Sequence, residues 1–433
     1  MMTQSNLTFI EGHEISEGYK KTEVGVIPVD WELIKLAEIA EVKMCKRVLS
    51  AQTKKNDVIP FFKIGTFGGE PDTYISKSLY DEFRAKYSFP EKGDILISAA
   101  GTLGKTVIYD GKESYFQDSN IVWLKVDKKK ISNEYLYHYY KVILWAATEG
   151  TTIARLYNGI IYDTQILLPP INEQKIVAEA LSDTDALISE LEKLIEKKQA
   201  IKTATMQQLL TGKTRLPEFA LREDGTPKAY KESELGQIPE DWEVVCLGDI
   251  GQALIGLTYS PNDTAEFGTL VLRSSNVQNG KLSFDNNVFV RMALPDRVIV
   301  KEGDILICVR NGSRQLIGKC ALIDKKTEGS AFGAFMSVYR TKSYGFIFYQ
   351  FQSNIIQNQI NETMGATINQ ITNKDLNSFR IMQPLIAKEK NEIYETIKDL
   401  DKDINLDIKR LNKLISIKQG MMQELLTGKT RLA

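Results

Sequence analysis

Two long stretches of the chain carry apolar residues at spacings of three and four, with Glu and Lys between them. In the first stretch the apolar positions are Leu181, Leu187, Ile188, Leu191, Leu194, Ile195 and Ile201. In the second they are Ile393, Ile397, Leu400, Ile404, Ile408, Leu411, Leu414 and Ile415. This period predicts two amphipathic helices, each about 35 residues and about 50 Å long. Such a helix is too long to bury its stripe in one small domain, so we expect the two stripes to pack on each other as a coiled coil.

Short apolar runs bounded by Gly, Asp and Asn come before each helical stretch and predict β-strands. The clearest runs are Asp94–Ser98, Thr106–Tyr109, Asn120–Val126, Asp304–Val309 and Phe335–Arg340. Proline then separates strands from helix, as Pro169-Pro170 in the first half and Pro384 in the second. Each half therefore reads as a mixed domain followed by a long helix.

The two halves are related by an internal repeat. Glu23–Ile39 (EVGVIPVDWELIKLAEI) returns as Glu234–Ile250 (ELGQIPEDWEVVCLGDI), with nine of 17 positions identical. Three further pairs keep the same order: Gly93–Ser98 with Gly303–Cys308, Gly150–Ile153 with Gly365–Ile368, and Leu209–Leu216 with Leu425–Leu432. The sequences between these landmarks differ sharply. Shared ends around different middles indicate two domains of one plan with different targets.

The predicted fold class is α+β: two mixed α/β domains joined by two long antiparallel helices, as a pseudo-two-fold internal repeat. The predicted segments are an N-terminal arm at 1–20, a first domain at 21–170, a central helix at 171–216, a polar connector at 217–233, a second domain at 234–385 and a C-terminal helix at 386–433.

Composition adds constraints on location and chemistry. The chain has 433 residues, 43% apolar and 26% charged, as in ordinary globular proteins. It shows no secretory signal and no apolar run of 18 residues, and its four scattered cysteines suggest reduced thiols in the cytoplasm. Two histidines are too few for a typical histidine metal site, and we expect no metal. The net charge of −1 neither indicates nor excludes a local basic face.

The twice-occurring Leu-Leu-Thr-Gly-Lys-Thr-Arg-Leu contains Gly-Lys-Thr but does not fit a phosphate-binding loop. That loop needs a glycine five residues before the Gly of Gly-Lys, and Gln207 and Gln423 stand there instead. A helix end, with Gly212 and Gly428 in the left-handed conformation, is the better interpretation. No G-x-S-x-G or G-x-G-x-x-G motif occurs either, so we do not expect an enzyme.

These motifs together resemble the specificity subunits of Type I restriction-modification systems. The resemblance rests on G-x-I-P-x-D-W-E at the start of each domain, G-D-I-L-I followed by a loop and Gly-Lys, the segment Leu168–Ile176 (LPPINEQKI), and the repeated octapeptide. It covers nearly the whole chain from about residue 21. The second half departs by having Pro384 and then Glu389-Lys390, where the family has two prolines and Glu-Gln. We therefore expect the second helix either to start somewhat differently or to make a weaker contact with its partner.

The resemblance implies a non-catalytic subunit that recognises double-stranded DNA. Each domain would read one half of a bipartite site, with the helices fixing the unread gap. The chain itself would bind no cofactor. It would dock two methylating subunits that use S-adenosylmethionine, and restriction subunits that use ATP and Mg. Two alternatives remain open from the residues alone: a pseudo-dimeric coiled-coil scaffold that binds proteins, and an enzyme with an unrecognised carboxylate site.

Candidate DNA contacts in the first domain lie in a glycine-containing turn and a basic stretch. The turn offers small residues for close backbone approach and a lysine for a phosphate. These candidates are Ser98, Gly101, Thr102 and Lys105 in the turn, and Lys46 and Arg47 in the basic stretch. A plain hairpin turn is the alternative interpretation.

The second domain offers a turn that is chemically better equipped. Arginine reads guanine, and Asn or Gln reads adenine, in the major groove. The candidates are Arg310, Asn311, Arg314 and Gln315, with Arg273 and Asn276 as weaker ones. Trp31 and Trp242 are expected to anchor the core rather than stack on bases, since both halves share them.

Overall fold

The computed structural model describes residues 17–143, 145, 155–365 and 369–432. The chain divides into two compact units. The first unit combines Met1–Glu192 with Lys409–Ala433, and the second is Lys193–Ile408. Each long helix is therefore divided between the units. Of the predicted segments, most of the arm at 1–20, the tetrapeptide Gly150–Ile153 and three residues of its counterpart lie outside the described residues.

The first unit contains short strands, three short helices and the start of a long one. Its strands are β1 (Tyr19–Thr22), β2 (Gly25–Pro28), β3 (Glu32–Lys35), β4 (Ala40–Lys43), β5 (Ile59–Phe62), β6 (Tyr74–Ile75), β7 (Ile95–Ser98), β8 (Thr106–Ile108), β9 (Tyr115–Phe116), β10 (Ile121–Val126) and β11 (Gln165–Leu168). Its helices are α1 (Lys77–Lys86), α2 (Asn133–Tyr140), α3 (Asn158–Asp163) and the beginning of α4 (Ile171–Leu209).

An antiparallel four-stranded sheet, in the order β4-β10-β7-β8, is the centre of the first unit. It lies between two apolar clusters, because alternate side chains point to opposite faces of a strand. Ile95 and Ile97 of β7 pack into one cluster with α2, whereas Leu96 packs into an aromatic cluster around Tyr115. Burial on both faces explains the uninterrupted apolar run, and each fully buried side chain contributes roughly 1.5–3 kcal/mol. The predicted strands at 94–98, 106–109 and 120–126 are confirmed.

The second unit repeats this order with extra elements. Its strands are β12 (Tyr230–Ser233), β13 (Gly236–Pro239), β14 (Trp242–Cys246), β15 (Gly251–Ile255), β16 (Thr264–Ala265), β17 (Thr269–Leu272), β18 (Val277–Gln278), β19 (Lys281–Leu282), β20 (Phe289–Val290), β21 (Ile305–Cys308), β22 (Cys320–Leu322), β23 (Ala331–Phe332), β24 (Met336–Thr341) and β25 (Arg380–Pro384). Its helices are α5 (Pro217–Ala220), α6 (Leu247–Ile250), α7 (Tyr344–Gln352), α8 (Asn354–Thr363), α9 (Asn373–Ser378) and the beginning of α10 (Ala387–Leu425).

The second unit is built on the same sheet, in the order β15-β24-β21-β22. Next to it, β17 pairs in parallel with β23, as β5 pairs in parallel with β9 in the first unit. The strands predicted at 304–309 and 335–340 are confirmed as β21 and β24. The connector at 217–233 is ordered, since Phe219 of α5 is buried and β12 pairs with β13. The internal repeat is thus a repeat of topology as well as of sequence.

The long helices α4 and α10 have 39 residues each, so each is about 58 Å long. Within the first unit, the start of α4 contacts the end of α10: the Thr184 hydroxyl donates to the Met421 sulfur at 3.7 Å, and Asp185 pairs with Lys418. Within the second unit, Lys198 near the end of α4 pairs with Asp403 of α10 at 2.6 Å. The predicted antiparallel arrangement is therefore confirmed.

The predicted apolar stripe of α4 is only partly buried. Leu181 and Ile195 are buried as expected. Leu187, Leu194 and Ile201 are 55%, 42% and 46% exposed, so the prediction that they pack on the other helix was wrong. These three side chains recur every seven residues and therefore share one helix face. Charged pairs such as Lys198 with Asp407 occupy part of the contact between α4 and α10.

Candidate nucleic-acid interface

The seventh residue of the repeated octapeptide is an arginine that binds each helix end to a domain. In the first unit, Arg431 donates from Nε and Nη2 to the Glu173 carboxylate at 2.9 and 2.6 Å. It also donates to both oxygens of Asp30, at 3.0 and 2.8 Å. The indole Nε1 of Trp31 donates to Glu173 at 3.0 Å. We call Arg431, Asp30, Glu173 and Trp31 the first clasp.

The second unit contains the same arrangement. Arg215 donates to Glu389 at 2.9 and 2.7 Å and to Asp241 at 2.6 and 3.1 Å. The indole of Trp242 donates to Glu389 at 3.4 Å. Arg215, Asp241, Glu389 and Trp242 form the second clasp. Both tryptophans are buried, as predicted, at 0% and 1% exposure.

The two clasps differ in exposure to solvent. The Arg215 and Glu389 side chains are 4% and 1% exposed, whereas Arg431 is 40% exposed. Burial by itself raises the pKa of the Asp241 carboxyl, but hydrogen bonds from Arg215 and Lys228 outweigh it and leave that pKa lowered. The hydrogen bond from Arg431 lowers the pKa of Asp30. The carboxylates of Asp241 and Asp30 are therefore held in the charged form that the arginines need.

A glycine in each octapeptide brings the helix end against a proline. Gly212 and Gly428 have φ of +68° and +71°, so the predicted left-handed helix end is confirmed. A Cβ on Gly212 would lie 2.6 Å from Pro239 Cδ, and a Cβ on Gly428 would lie 2.6 Å from Pro28 Cδ. Only glycine permits this approach of helix end to the Pro-x-Asp-Trp-Glu segment. Each copy of the octapeptide therefore anchors a helix end, and each packs on the copy of the Pro-x-Asp-Trp-Glu segment in its own unit.

The second helix starts much as the first does, with one exception. Glu389 takes the place of Glu173, so the departure from the family pattern leaves the clasp intact. The residues that follow differ. Gln174 is buried and donates to the carbonyls of Lys130 and Pro169, each at 2.8 Å. Lys390 instead donates to the Gln383 side chain at 2.8 Å, and burial lowers its pKa. The predicted difference in the helix start is seen at this position.

Loops at one end of the first unit's sheet converge through backbone hydrogen bonds. Ala99 N–H donates to the Asn120 carbonyl at 2.7 Å, and Leu156 N–H donates to the Ala99 carbonyl at 2.9 Å. Gln117 N–H donates to the Phe62 carbonyl at 2.9 Å. These bonds join loop 63–67, turn 98–105, loop 117–120 and Arg155. We call this set the first loop cluster.

The second unit has a loop cluster with the same backbone hydrogen bonds. Val309 N–H donates to the Phe335 carbonyl at 3.1 Å, and Ile371 N–H donates to the Val309 carbonyl at 2.9 Å. Gly333 N–H donates to the Leu272 carbonyl at 2.9 Å. The second loop cluster comprises loop 273–276, turn 309–318, loop 333–335 and residues 369–370. The two units thus share these backbone hydrogen bonds but carry different side chains on the loops that they join.

Most of the predicted contacts of the first domain fall in or beside its loop cluster. Thr102 and Lys105 are exposed, and Lys105 Nζ donates to the Phe67 carbonyl at 2.5 Å. Gly101 has φ of +67°, which a turn of this kind requires. Arg47 pairs with Asp118 of loop 117–120 at 2.8 Å. Lys46 lies 5.0 Å from the centre of the Tyr87 ring.

The predicted contacts of the second domain converge as well. Asn311 Nδ2 donates to the Ser274 hydroxyl at 3.2 Å, which joins the turn to the loop that begins at Arg273. Arg310 is exposed and lies 5.2 Å from the centre of the Phe335 ring. Arg314, also exposed, donates to the Asn361 carbonyl at 2.9 Å.

Two further candidates are exposed or held by neighbours. Gln315 is exposed. Arg273 donates to the Asn286 side chain at 3.1 Å and is partly buried. The cluster therefore combines exposed Arg310, Arg314 and Gln315 with a held Arg273 and Asn311.

Two predicted contacts are corrected by their burial. Ser98 is 2% exposed; its hydroxyl accepts from Lys105 N–H at 2.9 Å and donates to the Thr102 carbonyl, so it holds the turn. Asn276 is 0% exposed. Its Oδ1 accepts from Arg273 N–H at 3.0 Å, and its Nδ2 donates to the Ser283 carbonyl at 2.9 Å. Neither side chain faces a ligand, because loop bracing uses its polar atoms.

The sequence reasoning missed Arg155, which belongs to the first loop cluster. Arg155 forms a bridge with Ala100, and Gln370 forms the corresponding bridge with Arg310. The signal was available in the repeat, because Arg155 and Gln370 follow the tetrapeptides at 150–153 and 365–368 at the same distance. The residues around Arg155 and Gln370 differ too much between the two halves for the repeat alone to suggest a function.

The part of the chain that the structure describes contains no cluster of three His, Cys, Asp or Glu side chains suited to a metal ion. Within those same residues, no helix is long and apolar enough to cross a membrane. The four cysteines are not joined to one another by disulfides, and burial raises the pKa of the Cys45 thiol to about 12, which disfavours a reactive thiolate.

Comparisons with known proteins agree on one family. The family described as the Type I restriction modification DNA specificity domain matches residues 28–203 and again residues 239–419. A putative type I restriction enzyme specificity subunit of Methanocaldococcus jannaschii is 30% identical over 441 residues, which cover 96% of this chain and 97% of the relative. Another, of Haemophilus influenzae, is 50% identical over 160 residues, which are 37% of this chain and 42% of the relative.

Solved structures agree in fold. The S subunit of a Type I restriction-modification system from M. genitalium covers 92% of this chain and 96% of its own length, with a TM-score of 0.57 and 16% identity. The duplicated loop clusters, the family match in each half and the full-length relative lead to one conclusion: this chain belongs to the Type I restriction-modification DNA specificity family.

Proposed function

We propose that the first and second loop clusters read the two halves of one bipartite sequence in double-stranded DNA. The observation that carries the proposal is the repeated backbone frame with unlike side chains. The shared hydrogen bonds place corresponding loops at the same end of each sheet, and different side chains select different bases. Exposed Arg310, Arg314 and Gln315 in one cluster, and Lys105 and Thr102 in the other, are suited to base edges and phosphates.

The proposal includes the partners and leaves chemistry to them. Two methylating subunits that use S-adenosylmethionine, and restriction subunits that use ATP and Mg, would assemble on the parts that both halves share. Those shared parts are the clasps and the helices α4 and α10. The chain would bind no cofactor and catalyse no reaction by itself, and the complex would act in the cytoplasm.

The deciding experiment maps methylated adenines by long-read sequencing in source cells with and without this gene. Loss of methylation at one split motif with a fixed gap supports the proposal and gives the target. A silent system leaves no methylation, so a second experiment covers that case. The tagged chain is purified from the same strain with its partners and used to select DNA from a randomised duplex library. Retained DNA without any enriched bipartite sequence contradicts the proposal.

Two further measurements distinguish the proposed function from the two alternatives, a coiled-coil scaffold and an enzyme with a carboxylate site. DNA recognition through lysine and arginine predicts an affinity that falls steeply with salt, whereas a protein-binding scaffold predicts no such DNA affinity. An enzyme predicts turnover by the isolated chain. The carboxylates of the two clasps are paired with arginine, so their role in the described structure is structural.

A further inference from the structure

Each loop cluster has one arginine in an equivalent β-bridge, but the two arginines lie on opposite sides of that bridge. In the first unit the bridge joins Ala100 and Arg155, and in the second it joins Arg310 and Gln370. Neighbouring hydrogen bonds fix the correspondence, because Leu156 N–H donates to the Ala99 carbonyl as Ile371 N–H donates to the Val309 carbonyl. Arg310 thus corresponds in position to Ala100, and Arg155 corresponds to Gln370.

Both guanidinium groups nevertheless reach the same loop. Asn120 and Phe335 correspond, since their carbonyls accept from Ala99 N–H and Val309 N–H respectively. Arg310 lies over the Phe335 ring at 5.2 Å. Arg155 donates from Nη2 to Asn120 Oδ1 and to the Ser119 carbonyl, each at 3.3 Å. Each unit therefore has a guanidinium beside this corresponding residue, which is Asn120 in loop 117–120 and Phe335 in loop 333–335.

Each of these arginines is also accompanied by an exposed aromatic ring. Tyr157 is 52% exposed and lies 5.9 Å from the guanidinium of Arg155. Phe335 is 58% exposed and carries Arg310. An aromatic face holds a guanidinium by a cation–π interaction while leaving its edge available to a ligand.

We infer that Arg155 is the arginine with which the first domain reads its half-site, at the place that Arg310 holds in the second domain. This inference rests on the proposed function. At 3.3 Å, the two hydrogen bonds of Arg155 are longer than the usual range and therefore weak, so a base edge can replace them. Its Nε and Nη1 have no hydrogen-bond partner among the described residues. Nη1 and Nη2 together match the O6 and N7 acceptors of guanine.

A purely structural role for Arg155 is the rival explanation. Ser119 has φ of +54°, which is unfavourable for a residue with a side chain, and Arg155 bonds to its carbonyl. Bracing this loop would stabilise the unit without selecting a base. The two roles differ in one readout, because a brace changes stability and a reader changes the preferred base at one half-site.

The test selects DNA from a randomised duplex library with the tagged full-length chain in its native complex. Arg155→Gln introduces the residue that the second domain carries at this position. We expect preference at one or two base pairs of the first half-site to fall about 10- to 100-fold, with the second half-site unchanged. Arg84→Gln on α1 removes an exposed arginine of the same unit and is the charge-matched control, with both half-sites retained.

Unchanged base preference in Arg155→Gln overturns the inference. If that variant unfolds at a lower temperature, selection is repeated at a temperature at which it stays folded. A loss of preference confined to one or two base pairs then supports a reading role, and an equal loss at every base pair of the half-site overturns it. A wild-type complex that enriches no bipartite sequence contradicts the proposed function itself, which separates the two failures.

Discussion

Arg431, two residues from the last, pairs with Glu173 at the start of helix α4, at 2.9 and 2.6 Å. Arg215, just beyond the end of α4, makes the corresponding pair with Glu389 at the start of α10. Each clasp thus joins the end of one long helix to the start of the other and to the tryptophan segment of one domain. This explains why the chain carries the same octapeptide twice.

The two clasps should differ in their contribution to stability. Removing the buried Arg215 leaves Glu389 without its charge partner, so Arg215→Met should lower the free energy of unfolding of the second unit by about 3–5 kcal/mol. Arg431→Met should cost the first unit only about 1–2 kcal/mol, because solvent screens its half-exposed guanidinium. Calorimetry of the full chain resolves the change. Equal losses would mean that burial does not set the strength of the clasps.

The glycine of the octapeptide offers a test with an internal control. Gly428→Ala forces a left-handed alanine and a contact with Pro28, so it should lower the thermal midpoint of the first unit, at a cost of at least about 1 kcal/mol. Gly420, inside helix α10, has open space where a Cβ would lie. Gly420→Ala should raise helix stability by about 0.5–1 kcal/mol. A stabilising Gly428→Ala would contradict the close approach to proline.

His138 should make the first unit sensitive to mild acid. Burial is the main cause that lowers its pKa to about 4, with Lys141 and Lys418 adding to the effect and Asp185 opposing it. The unfolded state binds a proton near pH 6.5, so stability is full above that pH and falls as pH decreases towards 4. The loss should be roughly 2 kcal/mol between pH 6.5 and 5.

His138→Gln removes this titrating group and retains a partner for the Ser182 hydroxyl, which lies 2.9 Å from His138 Nε2. Urea unfolding of both proteins from pH 7 to pH 5 measures the effect. The variant should show a flatter dependence on pH over this range. The same slope in both proteins would assign the acid sensitivity to carboxylates instead.

The turn of the second loop cluster should determine one half-site. Arg310→Ala combined with Arg314→Ala removes two exposed arginines, and base preference in that half should fall about tenfold or more while the other half remains. Arg222→Ala, which breaks an ion pair with Glu240 in the connector, is the control for lost charge. Library selection with the native complex measures both. Intact preference in the double variant would exclude this turn from base recognition.

The sequence by itself determined the repeat, the order of strands and helices, and the family. Apolar runs such as Ile95–Ser98 and the three-and-four spacing near Ile393 are local patterns, and local patterns specify local structure. Buried Trp31 and Trp242 were also predictable, because both halves repeat them. The correspondence between Arg155 and Gln370 was present in the repeat but had no meaning without the loops around it.

Only the tertiary structure decided which polar residues are used inside the protein. Arg431 meets Asp30 across 401 positions, a contact that no local pattern encodes. Ser98 and Asn276 resemble DNA contacts in composition, yet burial commits their polar atoms to loop bracing. Leu187 fits the helical stripe but remains 55% exposed. The physical reason is the same in each case: burial and hydrogen-bond partners come from chain segments that are distant in sequence, and folding brings them together.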